Sequence, residues 1–221
     1  MSRVERRPSI PSRAEIEAQA KRRRIAVIAS LSVMAIVIIV AVALASRVPK
    51  AASDAPLNSV LAVGQKAPEF AVSTTAGPFD LATATGKPTF LEVFATWCPH
   101  CQRETAVLNQ LFAKYGSRVN FVAVAGSPYA MEDQSTPESQ ADVIAFAQRF
   151  GVTYPIAFDP NLDVANKYLQ GAFPTLVLIG TDGHVQSIAE GEIPLASIAS
   201  TLDASLAGSK PDPKMGMKSA S

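Results

Sequence analysis

The stretch from Thr89 to Gly116, TFLEVFATWCPHCQRETAVLNQLFAKYG, constrains the fold more than any other part of the chain. It opens with a short apolar run, Thr89 to Ala95, rich in β-branched and aromatic residues, which is the pattern of a buried strand. It closes with Leu108, Leu111, Phe112 and Tyr115 recurring at i, i+3, i+4 and i+7, an amphipathic helix that Gly116 stops. Between them stands Trp97-Cys98-Pro99-His100-Cys101, which holds both cysteines of the 221-residue chain. Pro99 suits the first helical turn, where its missing N–H costs nothing. Two thiols therefore sit where a central strand hands over to a helix.

Strands and helices alternate further along. Asn120 to Gly126 reads as a second central strand, followed by a polar stretch from Ser127 to Ser139. Val143, Phe146, Ala147 and Phe150 share one face of a helix that Gly151 ends. Tyr154 to Asp159 reads as a strand and Leu162 to Leu169 as a short helix. The segments TLVLIG and HVQSIAE flank Thr181-Asp182-Gly183, whose Asp-Gly pair is a hairpin signal. Leu195, Ile198, Ala199, Leu202 and Leu206 mark a last helix, and PEFAV with GPFDL would form an extra N-terminal hairpin. Alternation followed by a terminal hairpin predicts one α/β domain, residues 60–207, with a mixed sheet flanked by helices.

The flanks differ in kind. Ile25 to Ser46 is a run of 22 residues without a charge. As a helix it would be about 33 Å long, enough for a hydrocarbon core of about 30 Å. This run explains much of why the chain is 48% hydrophobic and only 18% charged. Residues 1–24 carry eight basic and three acidic side chains, a net +5; the chain totals +1, so the remainder carries −4. Basic flanks stay on the cytoplasmic side, so 1–24 reads as a cytoplasmic tail, 25–46 as a single transmembrane helix, and the rest as extracytoplasmic, in a periplasm or at the cell exterior. Ala43-Leu44-Ala45 has the pattern of a cleavage site, but the run exceeds a signal core of about 7–15 residues, so an uncleaved anchor is expected. No cysteine follows the run directly, which excludes a lipid-linked cysteine anchor. Residues 47–59 read as a linker and 208–221 as a disordered tail. The acidic balance of the exported part gives no reason to expect nucleic-acid binding.

The chemistry rests on the cysteines. Cys98 at a helix N-terminus would have its thiolate favoured by unpaired N–H groups and the positive end of the dipole. Cys101, one turn later, can close a disulfide with it and reopen it. A structural disulfide over so short a loop removes little unfolded-state entropy. A zinc site needs about four ligands, and this chain offers two cysteines and two histidines, with His184 far away in sequence. A haem attachment would need His in place of Gln102. A redox pair is the reading that remains, with the redox-active Cys98–Cys101 disulfide itself in place of any cofactor or metal.

FATWCPHC after a buried strand resembles the thioredoxin superfamily. VGQKAPEFAV, GKPTFLEVFATWCPHCQRE and FAQRFGVTYPIAFDPNLDVANKYLQGAFPTLVLIGTDGHV together resemble its membrane-anchored TlpA/ResA-like branch of thiol-disulfide oxidoreductases, in the redoxin family. The resemblance implies a thioredoxin fold with an N-terminal β-hairpin extension and a central α/β insertion. It implies that Pro174 is cis, and that the Phe173-Pro174-Thr175 loop lies beside the disulfide, where the Phe173 backbone could pair with a substrate strand. It also implies a buried acid at Glu92, six residues before Cys98, with a carboxyl raised by desolvation and able to take the Cys101 proton. A plain structural acid is the other reading, because the face that Glu92 occupies is not visible in the sequence. Trp97 would cover the site. The partners implied are thiols or disulfides of exported proteins and a membrane redox partner.

Direction is left open. His100 between the thiols could favour the Cys98 thiolate, and Cys-Pro-His-Cys is the core of DsbA-type oxidases. The surrounding scaffold resembles a branch of mostly reductants, some serving cytochrome c biogenesis. A peroxiredoxin would want Pro and Thr where Leu91 and Ala95 stand. A copper-binding chaperone would want one more residue between the cysteines, and its distal histidine would have to be His184.

Overall fold

The computed structural model describes residues 61–131 and 134–216. The expected cytoplasmic tail, transmembrane helix and linker therefore lie outside the described residues. Among the described residues no helix is long and apolar enough to cross a membrane.

Seven strands form one sheet: β1 (Ala71–Thr74), β2 (Gly77–Asp80), β3 (Thr89–Phe94), β4 (Asn120–Ala125), β5 (Ile156–Phe158), β6 (Thr175–Ile179) and β7 (Val185–Glu190). Their order is β2-β1-β5-β4-β3-β6-β7. The β3–β4 and β4–β5 pairs are parallel, and β3–β6, β6–β7, β1–β2 and β1–β5 are antiparallel. Four helices among the described residues accompany them: α1 (Pro99–Tyr115), α2 (Gln140–Phe150), α3 (Ala165–Tyr168) and α4 (Leu195–Leu206). This is the thioredoxin-like α/β fold with a mixed sheet, including the extra N-terminal hairpin.

The alternation of β3 builds two cores. Phe90 and Phe94 face one side with Leu108 and Leu111 of α1, Phe146 of α2 and Leu202 of α4. Leu91 and Val93 face the other with Val164, Tyr168 and the N-terminal residues Leu61 and Phe70. Strand side chains alternate across a sheet, so Glu92 shares the α1 face with Phe90 and Phe94. That settles the orientation which sequence left open.

Several boundaries move, for physical reasons. Leu162 has φ 57°, a left-handed conformation that cannot start an α-helix, so α3 is one turn beginning at Ala165. The Asp159 carboxylate accepts from the amides of Asp163, Val164 and Ala165 and organises that turn instead. Gly116 ends α1 with a right-handed φ of −59°, not the left-handed cap that glycine usually supplies. Its role is space, because a Cβ there would sit 2.8 Å from the Phe112 ring.

The tail expected to be disordered from 208 packs on the domain as far as residue 216. Ile188 N donates to Pro213 O (3.0 Å) and Ser187 Oγ to Asp212 O (2.5 Å), so the segment covers the free edge of β7. Met215 is fully buried in the α1-side core. One apolar anchor has no periodicity, which is why the sequence pattern missed it. Met215→Ala should destabilise the domain by about 2 kcal/mol or more, read as a lower urea midpoint; an unchanged midpoint would restore the loose-tail reading.

Candidate active site

Cys98 is the N-cap of α1, with extended backbone (φ −77°, ψ 119°) and Pro99 directly after it. No side chain caps this end. The first-turn amides of α1 and the positive end of its dipole are therefore presented beside the Cys98 sulfur. The whole Cys98 residue is 5% exposed and Cys101 1%, so Cys98 is the more accessible thiol. Both are free cysteines.

The opposite wall comes from the loop before β6. The Phe173–Pro174 peptide bond is cis. Cys98 Sγ donates to Phe173 O at 3.6 Å, so the loop that the resemblance implied does lie against the attacking sulfur. Thr175 does not face the sulfur; its hydroxyl donates to Ala172 O (2.8 Å) and closes the loop from behind. Trp97 packs edge-on against Phe173, ring centres 5.9 Å apart, and its indole N–H donates to Ser127 Oγ (2.7 Å). Next to it, Thr96 Oγ1 donates to Glu138 Oε1 (2.5 Å), which ties the 127–139 stretch to the active-site turn.

Beneath the pair lies a layer of buried acids. Glu92 is 3% exposed and Glu104 2%. Burial first, then the Glu104 charge, holds the Glu92 carboxyl well above its ordinary range, and a hydrogen bond with Tyr154 opposes this. Burial likewise lifts Glu104 to about 7, against a backbone hydrogen bond from Ile193. Among the described residues Glu104 Oε1 has no hydrogen-bond partner. Burial and then the Glu92 charge push the Cys101 thiol far upward. In the reduced pair Cys101 is thus held as a thiol, and Glu92 is the acid whose charge acts on it.

His100 points elsewhere than expected. Its Nδ1 lies 2.6 Å from Glu192 Oε1, on the turn after β7, instead of bonding the Cys98 sulfur. His184 sits at the β6–β7 turn, the other end of β6 from Pro174, and its Nδ1 lies 3.2 Å from Asp182 O. At about 3.3 Å per strand residue that is a separation of roughly 15 Å or more, so the histidine a copper site would require is not at the cysteines.

The family model Redoxin matches residues 62–204. The chain belongs to the redoxin family. It is 34% identical over 147 residues to the thiol-disulfide oxidoreductase ResA of Geobacillus thermodenitrificans, covering 66% of this chain and 79% of that protein. It is 30% identical over 141 residues to the thioredoxin-like protein YneN of Bacillus subtilis, covering 63% and 78%. Among solved structures it resembles a thiol:disulfide interchange protein DsbE of Chlorobium tepidum, 28% identical with a TM-score of 0.57, covering 66% of this chain and 99% of that one. The family and the thiol pair at the head of α1 make this redoxin a thiol-disulfide oxidoreductase.

Sequence reasoning missed Glu104, Tyr154, Ser127, Glu138, Arg103 and Glu192. Glu104 was within reach, because Cys101, Glu104, Leu108 and Leu111 form one buried stripe on α1. Ser127, Glu138 and Glu192 are brought in by the sheet from far along the chain and left no local signal.

Proposed function

We propose that this redoxin is a membrane-anchored reductant of disulfides in exported proteins, resupplied with electrons by a membrane redox partner. The observation that carries the direction is the His100 ring, bonded to Glu192 and not to the Cys98 sulfur. A strong oxidant stabilises its reduced form by stabilising the thiolate of its attacking cysteine. Here the Cys98 sulfur meets a hydrogen-bond acceptor, Phe173 O at 3.6 Å. The export of the domain rests on the charge-free 25–46 run and its basic flank. Kinship with ResA and DsbE proteins agrees with substrates that are protein thiols and disulfides.

The reaction balances as a two-electron exchange. The Cys98 thiolate attacks one sulfur of a substrate disulfide and forms a mixed disulfide. The other substrate sulfur leaves as thiolate and takes a proton from water. The ionised form of Glu92, a stronger base because burial raises its carboxyl, takes the Cys101 proton; Cys101 then attacks the Cys98 sulfur and closes the Cys98–Cys101 disulfide, and the second substrate sulfur leaves as a thiolate that takes this proton back from Glu92. The substrate ends reduced and the enzyme oxidised. The cis-Pro loop offers the Phe173 carbonyl to an extended substrate segment while Cys98 is engaged.

Two assays test this. A membrane-impermeant maleimide added to intact cells expressing the full chain should label Cys98, and label it only after reduction if the enzyme rests oxidised. The purified domain should reduce a scrambled disulfide protein faster than it oxidises a reduced one. Labelling only after lysis, or faster oxidation, would overturn location or direction respectively.

A further inference from the structure

The turn after β7 reaches the cis-Pro loop, the buried Glu104 and the outer surface of α1. Gly191, at φ 75°, donates its N–H to Pro174 O (2.8 Å). Ile193 hydrogen-bonds through its backbone to the buried Glu104. Between them, the Glu192 side chain reaches to the outer surface of α1. Its Oε1 lies 2.6 Å from His100 Nδ1 and accepts from Arg103 Nε (3.0 Å) and Nη2 (2.5 Å). Arg103 Nη2 also stands 2.9 Å from His100 Nδ1, so imidazole and guanidinium converge on one carboxylate oxygen.

We propose that Glu192 is a positioning residue that clamps His100 and Arg103 and so keeps the Cys98–Cys101 couple reducing. The inference rests on the reductant reading of this pair and supplies a reason why a Cys-Pro-His-Cys motif need not be an oxidant.

Two physical effects work together. The first is geometric. A 2.6 Å contact between Nδ1 and a carboxylate oxygen requires the proton on Nδ1. In neutral His100, Nε2 is then a bare acceptor and offers the Cys98 thiolate no N–H. The second is electrostatic. Arg103 is close enough to Cys98 for the sulfur's charge to stabilise the guanidinium, after the larger effect of Glu192. Glu192 cancels one positive charge in this cluster. Without it, Arg103 and an unclamped His100 would both be free to favour the thiolate, hence the reduced enzyme, and the disulfide would become more oxidising. The side chains of His100 and Glu192 are 59% and 38% exposed, so solvent weakens the effect and salt should weaken it further.

The test compares equilibrium constants with glutathione at constant pH for the wild type, Glu192→Gln, and the same change in a His100→Thr/Arg103→Gln background. Glu192→Gln keeps shape and removes charge at an exposed site; its thermal midpoint should match the wild type. The inference expects it to shift the equilibrium toward reduced enzyme by about three- to tenfold, or roughly 15–30 mV less negative. The shift should shrink at high salt and vanish in the double-variant background, where nothing remains to be released. A potential equal to or more negative than the wild type, or an undiminished shift without His100 and Arg103, would overturn the clamp. A wild-type potential in the oxidase range would instead remove the reductant reading. The absolute value and the difference therefore report on separate claims.

Discussion

Cys101→Ala should arrest the enzyme on its substrate as a stable mixed disulfide through Cys98. The accessibility order and the buried acid beneath Cys101 lead to this outcome. Cys98 stands at the helix end, free to attack, while Cys101 is covered and protonated until a mixed disulfide presents its target. With Cys101 gone, attack proceeds and resolution does not. Turnover should fall by about a thousandfold or more, the scale on which removal of a covalent-catalysis group is felt. A non-reducing gel should show an adduct that dithiothreitol releases. Cys98→Ala should lose as much turnover and trap nothing. An adduct formed by Cys98→Ala and not by Cys101→Ala would reverse the two roles. Glu92→Gln belongs to the same experiment: it should leave adduct formation intact and slow its decay, whereas an unchanged decay rate would make Glu92 a structural acid only.

Stability of the reduced domain should fall as pH rises from about 5 to about 8. The sign follows from the direction of the acid shifts. Glu104 is held up at about 7 in the folded state, and Glu92 is raised as well, both chiefly by burial. In the unfolded chain a glutamate titrates near 4.3. The folded state therefore holds protons that the unfolded state has released. The stabilisation is fully present below the unfolded value and is lost as pH passes through the folded one. For Glu104 alone this is on the order of 2–3 kcal/mol. Glu138, lifted to about 7 by burial against its bond from Thr96, adds in the same sense. Glu104→Gln should be nearly neutral at pH 4.5 and more stable than the wild type at pH 8, flattening the profile in urea titrations. A wild-type midpoint constant from pH 5 to 8, or an equal slope in Glu104→Gln, would contradict the buried-acid account.

What sequence could show was local. The strand, the cysteine turn and α1 follow one another within 28 residues, and their periodicity changes from strand to helix at the turn itself. The β6–β7 hairpin announces itself through Asp182-Gly183, and Gly183 does take φ 76°. Glu92 was legible as a candidate but not as an inward-facing one, because its face depends on the strand register, where it stands opposite Ala123 and Leu176. The partner of His100 was hidden for the same reason. Between Cys98 and Cys101, His100 looks like a residue that serves the sulfur. Its partner is Glu192, 92 residues away, and only the antiparallel β6–β7 pair brings that turn back over α1. Electrostatics at a redox site is a sum over neighbours in space, and a four-residue motif contains few of them. Met215 and the covered β7 edge were lost for a simpler reason: a single buried side chain in a polar tail has no pattern to detect.

The most direct test of the central claim, that this pair donates electrons, is the reduction potential of Cys98–Cys101 measured against a glutathione buffer with the purified redoxin domain. A histidine turned to Glu192, and a Cys98 sulfur set against the Phe173 carbonyl, predict a value near −270 mV or lower, as in thioredoxin; a value near −120 mV, as in DsbA, would contradict it and make the enzyme an oxidase.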